Sequence, residues 1–258
     1  MGLLSRFLQT EKTKDLQPPA GGVGRRLVVG NWKCYKTSGE AKVWFDTFAE
    51  KYVPSPDVEI VIAPTLLSLE LVARYLEELN LDQVSLAAQD VSPFPVGGYT
   101  GAVAADMLKG LVDYVIVGHS ERRRYFHETQ MDVTNKITEV LDAGLKPIIC
   151  VDRPYLVSQL SALSDLETGH ALVAYCPVDA LSFRIPESAG KVGEAVDEIR
   201  NVFPHRAIIY GGSILPDNAG EYLALDSLAG VFVGSASLEP ESFLDICRQA
   251  AQFARPQS

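Results

Sequence analysis

Cysteine is scarce in this chain. Cys34, Cys150, Cys176 and Cys247 lie far apart and form no CxxC pair. That spacing argues against a zinc site and a disulfide framework, and leads us to expect reduced thiols in a cytoplasmic protein. Positive charge is also in deficit: 23 Lys and Arg against 33 Asp and Glu give a net charge of −10. A nucleic-acid binder would carry a basic face, so nucleic acid is not an expected partner. No apolar run approaches the ~20 residues needed to cross a bilayer, so no membrane contact is expected either. An acidic chain can still hold a phosphorylated metabolite where backbone N–H groups and one or two cations form the site. No metal or cofactor is expected.

What is present fits one globular domain with a sizeable core: 258 residues, 47% hydrophobic and 22% charged. Residues 1–25 read as an N-terminal extension, expected to be flexible. Leu3, Leu4, Phe7 and Leu8 suit one face of a short helix, but the stretch is too brief and interrupted for a secretory signal. Met1-Gly2 opens no myristoylation motif, because Arg6 stands where Ser or Thr is wanted. Gly21-Gly22-Val23-Gly24 precedes a strand instead of following one, so it is not a dinucleotide fingerprint.

From residue 26 to 258, strand-like and helix-like patterns alternate. Apolar runs predict strands over 26–30, 59–63, 84–88, 114–117, 147–151, 171–175, 207–210 and 230–233. Helical periodicity falls between them, over 40–51, 67–79, 104–111, 132–143, 155–163, 189–203, 218–225 and 240–253. Eight such repeats imply an α/β fold, a closed parallel (β/α)8 barrel with helices outside; an open doubly wound sheet is the fallback. In the barrel, every C-terminal strand end converges on one mouth. Those ends read Asn31-Trp32-Lys33, Gln89-Asp90, Gly118–Arg123, Tyr210-Gly211-Gly212-Ser213 and Gly234-Ser235. With Cys150 and Tyr175-Cys176-Pro177-Val178, which complete the set, most are polar or glycine-rich, as a ligand site requires and core packing does not.

The richest of these ends is Gly118-His119-Ser120-Glu121-Arg122-Arg123, delivered by the apolar run Tyr114 to Val117. Together with Asn31-Trp32-Lys33, Tyr210–Ser213 and Gly234–Leu238, in this order, it resembles the triosephosphate isomerase family over nearly the whole chain after the extension. The resemblance implies interconversion of dihydroxyacetone phosphate and glyceraldehyde 3-phosphate, a step of glycolysis and gluconeogenesis, with no cofactor. By residue it implies His119 as a neutral electrophile, Lys33 as the cation with Asn31 beside it, and Glu121 holding the lysine. It assigns the phosphate cradle to Ser213, Gly234 and Ser235, with Ser182 on the lid. It also implies a homodimer, with the loop carrying Tyr99 and Thr100 reaching the partner subunit and Arg122 and Glu128 bracing the interface. Ser235 stands where the family has a second glycine.

One position departs from the pattern. The family's base follows strand six in Ala-Tyr-Glu-Pro-Val-Trp, and here the chain reads Ala174-Tyr175-Cys176-Pro177-Val178-Asp179. Cys176 thus occupies the place of the catalytic glutamate. Its sulfur stops roughly 2 Å short of a glutamate oxygen, and ~1 Å of misplacement can cost ~10²-fold. An ordinary thiol is also only a few per cent thiolate at neutral pH, and losing a general base costs ~10²–10⁴. Weak or lost isomerase activity is therefore expected unless Asp179 or Glu121 acts as base. The alternatives are a non-catalytic relative that binds a phosphorylated ligand or a partner, and an enzyme using Cys176 for other carbonyl chemistry. The lid residues Ala180–Arg184 are altered too, Arg153 is expected to pair with Asp179, and helix five is expected to be short.

Overall fold

The strands form where short apolar runs can be buried on both faces, and a computed structural model describing residues 25–163 and 171–254 shows how they are arranged. They are β1 (Arg26–Asn31), β2 (Val58–Ala63), β3 (Val84–Ala88), β4 (Tyr114–Val117), β5 (Lys146–Val151), β6 (Leu172–Tyr175), β7 (Ala207–Tyr210) and β8 (Gly230–Val233). Neighbours in sequence pair in parallel, and β8 returns to β1, so the sheet closes into the expected barrel. Each strand divides its side chains by parity. Leu27 and Val29 join Ile116, Ile148, Ile209 and Phe232 in the barrel interior. Val28, Ile60, Ile62 and Val115 belong to the larger core under the helices.

The helices are α1 (Ser38–Lys51), α2 (Leu66–Leu79), α3 (Ser120–Tyr125), α4 (Gln130–Asp142), α5 (Leu156–Ser161), α6 (Val178–Phe183), α7 (Ala189–Val202), α8 (Pro216–Leu223) and α9 (Pro240–Phe253). Helix α1 shows why they form. Thr37 accepts from the Glu40 N–H while the Glu40 carboxylate accepts from the Thr37 N–H, a capping box that satisfies otherwise orphaned donors. Ala41, Trp44, Phe45 and Phe48 then fall on one face and are buried. Trp44 stacks on Phe48 at 4.9 Å and meets Trp32 edge-on at 4.9 Å, which ties α1 to the end of β1. Burying each such aromatic stabilises the fold by roughly 2–3 kcal/mol.

Two helical expectations change. The pattern over 104–111 gives only a 3-10 turn, Ala105–Leu108. Its bonds run from Met107 N–H to the Ala104 carbonyl and from Leu111 N–H to the Leu108 carbonyl, and Gly110 at φ +79° ends it. Residues 178–183, expected only as part of a lid, form the short helix α6. Helix five is short as expected, six residues long. Of the extension predicted over 1–25, all but Arg25 lies outside the described residues. Arg25 donates to the Pro56 carbonyl at 2.8 Å.

Candidate active site

The mouth is built outward from β1. Lys33 adopts φ +52°, a left-handed conformation unfavourable for a residue with a side chain. Two amides hold it there. The Lys33 N–H donates to Asn31 Oδ1 at 3.0 Å, and Gln89 Nε2 donates to the Lys33 carbonyl at 2.8 Å and the Ala63 carbonyl at 2.9 Å. The chain is thereby turned so that Lys33 Nζ reaches Glu121 Oε1 at 2.5 Å. Gly234, at the end of β8, is close by: a Cβ there would lie 3.9 Å from Lys33 Cε.

His119 arrives from β4 through Gly118, whose φ of +72° makes the turn that a β-carbon would strain. It caps α3, its Nδ1 accepting from the Glu121 N–H at 3.3 Å. With Nδ1 as acceptor, a neutral ring carries its proton on Nε2, which is then the donor available to a ligand. Burial to 5% exposure lowers the imidazole pKa to about 4, the carboxylate of Glu121 opposing the shift while Lys33, Arg123 and Arg122 add to it. Burial is the largest of these causes.

Cys176 leaves β6 with its N–H bonded to the Val151 carbonyl at 2.9 Å, and its side chain is only 1% exposed. The sulfur sits against the Gly211 backbone, where an added Cβ would be 2.7 Å from it, and against the Cys150 thiol. That thiol contact, with burial, holds the Cys150 pKa well above the ordinary thiol range. All four cysteines are free.

Asp179 and Glu121, the two carboxylates that the sequence offers in place of the missing base, differ in their surroundings. Asp179 is exposed in the first turn of α6, and Glu121 is engaged by Lys33. Other carboxylates around the mouth are also held by cations. Asp152 pairs with Arg123, which also donates to the Cys150 carbonyl at 3.0 Å. Asp90 accepts from Lys136 at 2.6 Å and from Arg122 at 2.8 Å, and Glu128 joins both cations. Arg122 and Glu128 do meet, at 3.3 Å, yet the Glu128 side chain is buried within the chain.

The expected Arg153–Asp179 pair is overturned. Arg153 reaches across to α7 and binds Glu198 at 2.7 and 3.3 Å, because Asp179 faces solvent and Glu198 is the nearer carboxylate.

The lid is anchored by contacts that the sequence did not announce. Ser213, at φ +56°, donates its hydroxyl to the Ala180 carbonyl at 2.7 Å. At the far end, three tyrosines converge on Glu187. Tyr175 donates to its carboxylate at 2.9 Å, Tyr210 accepts its N–H at 2.9 Å, and Tyr222 donates to its carbonyl at 2.6 Å. The structure thus brings Asn31, Lys33, His119 and Glu121 into one cluster with Gly234 beside it, and sets Cys176 against the turn that leads to Ser213. Ser182 and Ser235 are exposed, as are Tyr99 and Thr100 on the loop after β3, where Tyr99 stacks on Phe94 at 4.6 Å. Among the described residues no cluster of His, Cys, Asp and Glu is grouped to hold a metal ion. Gln89, Lys136 and Glu187 went unassigned; the sequence signal for Lys136 is a lysine inside the apolar stripe Val133, Ile137, Val140 of α4.

The sequence profile described as Triosephosphate isomerase matches residues 26–250. The triosephosphate isomerase of Thermus thermophilus is 39% identical over 251 residues, covering 88% of this chain and 99% of that protein. The enzyme of Dehalococcoides mccartyi is 36% identical over 246 residues, covering 87% and 96%. That of Thermodesulfovibrio yellowstonii is 34% identical over 246 residues, covering 87% and 99%. With the barrel closed and the Lys33, His119 and Glu121 cluster at its mouth, this chain belongs to the triosephosphate isomerase family.

Proposed function

We propose that the protein binds a triose phosphate, or a close analogue, at the barrel mouth, and that its isomerisation of that ligand is weak or lost. Binding rests on Lys33 as the cation, His119 as the neutral donor, Asn31 and Glu121 as their supports, and the backbone N–H groups around Ser213, Gly234 and Ser235. The observation that carries the rest is the buried Cys176 thiol in the position of the family's carboxylate. Proton abstraction from carbon needs a base poised over the reacting carbons. The mouth supplies paired carboxylates and a short, buried thiol instead. Nucleophilic use of Cys176 gains no support from a sulfur this enclosed.

The altered lid supports a non-catalytic relative as the second reading. Ser213 already spends its hydroxyl on Ala180, and the tip residues Ser182, Phe183 and Arg184 are exposed. The homodimer belongs to this proposal as well. Phe94, Val96 and Tyr99 are exposed on one loop, apolar area suited to a second copy, and sedimentation at micromolar concentration reads the stoichiometry directly. Cytoplasmic residence fits four unpaired cysteines.

A coupled isomerase assay on the purified protein and on Cys176→Glu tests the reading. The variant is expected to exceed the parent in kcat by at least ~10², since that is the lower bound for restoring a general base. Brisk turnover by the unmodified protein would overturn it. A variant that gains nothing while still binding ligand would place the defect in the lid also, and so favour the second reading.

A further inference from the structure

The segment from Pro177 to Ser188 joins β6 to α7, and its tip stands in solvent. Phe183 and Ile185 are 71% and 69% exposed, and Arg184 between them adopts φ +56° as the C-cap of α6. The two ends are held in different ways. Near the start, the buried Ala180 accepts the Ser213 hydroxyl at its carbonyl, at 2.7 Å. At the end, one residue is engaged at its N–H, its carbonyl and its carboxylate together. Glu187 N–H donates to Tyr210 Oη at 2.9 Å, its carbonyl accepts from Tyr222 Oη at 2.6 Å, and its carboxylate accepts from Tyr175 Oη at 2.9 Å. The three phenols are fixed by the barrel itself. Tyr175 and Tyr210 are register partners on β6 and β7, and all three tyrosines are at most 1% exposed. Their rings pack in series, Tyr175 to Tyr210 at 6.1 Å and Tyr210 to Tyr222 at 4.5 Å. A Cβ on Gly212 would lie 2.1 Å from Tyr210 Oη, so the turn after β7 closes over that hydroxyl. Of the three bonds, the one to the carboxylate is charge-assisted and is the stronger kind.

We infer that Glu187 is the latch of this lid, and that the segment leaves its seat on the β7 turn only when the Tyr175–Glu187 bond parts. Lids move on a few residues at the ends of elements, which absorb the change in φ and ψ. Glu187 stands at such a place, directly before Ser188, the N-cap of α7. A rotation of the chain there breaks bonds to two strands and to α8 at once. Any residue could supply the N–H and the carbonyl; the carboxylate bond depends on this side chain. The inference concerns the motion of the lid and stands apart from what the mouth binds.

Amide hydrogen exchange over residues 178–188 of the full-length protein tests the latch, with trypsin cleavage after Arg184 as a second measure. Trypsin cuts the opened form, so its rate follows the population of that form. Glu187→Ala and Tyr175→Phe are each expected to speed both by about tenfold or more, the loss of one bond to a charged acceptor. The double variant is expected to be no faster than either single one, since both changes remove the same bond. Glu187→Gln, which keeps an acceptor, is expected to stay within about threefold of the parent. Exchange in α2, whose residues take no part in the latch, is expected to keep the parent rate throughout and so separates lid opening from general loosening. Lid exchange at the parent rate in Glu187→Ala, additive gains in the double variant, a glutamine variant as fast as the alanine one, or acceleration shared by α2 would each overturn the inference.

Discussion

Burial keeps the His119 imidazole neutral at physiological pH, and that has a consequence for stability. Its pKa is about 4 in the folded chain and near 6.5 when exposed. Between those values the unfolded chain binds the additional proton, so stability rises with pH across the window. The contribution is complete above pH 6.5 and is lost as pH falls toward 4, amounting to about 3 kcal/mol for a group this enclosed. Asp90 and Asp152, raised by burial against the pull of their cations, act in the opposite sense. A comparison at one residue isolates the effect: urea-unfolding free energies between pH 4 and 6.5 should climb more steeply for the parent than for His119→Gln. An imidazole resonance that titrates near 6.5 in the folded protein would refute it. Cys176 was legible in a different way: Ala174-Tyr175 and Pro177-Val178 match the family's frame on either side of it, so its place at the family's glutamate position could be read from the sequence. The burial of the sulfur against Gly211 and Cys150 could not.

At the scale of elements, α4 supplies more than packing. Lys136 lies inside its apolar stripe and is nearly enclosed, held by Asp90 at 2.6 Å and by Glu128, so it joins the loop after β3 to the segment after α3. Breaking a buried pair by removing one partner leaves charges without compensation. Lys136→Ala should therefore lower the unfolding free energy in urea by about 3–5 kcal/mol, and Lys136→Arg should recover most of it. An alanine variant within 1 kcal/mol of the parent would mean that Arg122 carries both carboxylates alone. The strands were legible to within a residue because an eight-times-repeated apolar run has few other uses, and α1, α2, α7 and α9 followed from their periodicity. Two shorter elements were not, although α5 and α8 were. The pattern over 104–111 yielded a 3-10 turn stopped by Gly110, and α6 arose in a stretch with no apolar period long enough to read. The resemblance paired Arg153 with Asp179 because they stand where the family has a glutamate and a lid tryptophan in contact, but pairing follows the packing of α7, which only the fold supplies.

The whole molecule depends on one seam. Asn31 and Lys33 follow the first strand and Gly234 follows the last, so half of the mouth meets the other half only because β8 pairs with β1. Leu27 N–H bonds to the Ala229 carbonyl at 2.9 Å, and the buried Arg26 guanidinium donates to the carbonyls of Leu228 and Phe253. Gly230 sits where the strands approach most closely: an added Cβ would lie 1.8 Å from the Leu27 carbonyl oxygen and 2.7 Å from its carbon. The nearest atoms all belong to the Leu27 backbone, so no flexible side chain is there to yield. Gly230→Ala should therefore force the strands apart and lower the unfolding free energy by about 4 kcal/mol or more, beyond the usual range of single substitutions. It should also abolish the melting shift that the proposed binding of dihydroxyacetone phosphate would give, because the two halves of the site part with the seam. Gly39 in α1 provides the contrast, with open space around its Cβ position. Gly39→Ala should stabilise by up to about 1 kcal/mol, as alanine does in helices. Equal effects of the two alanines in urea would show that the barrel tolerates an opening at β1 and β8.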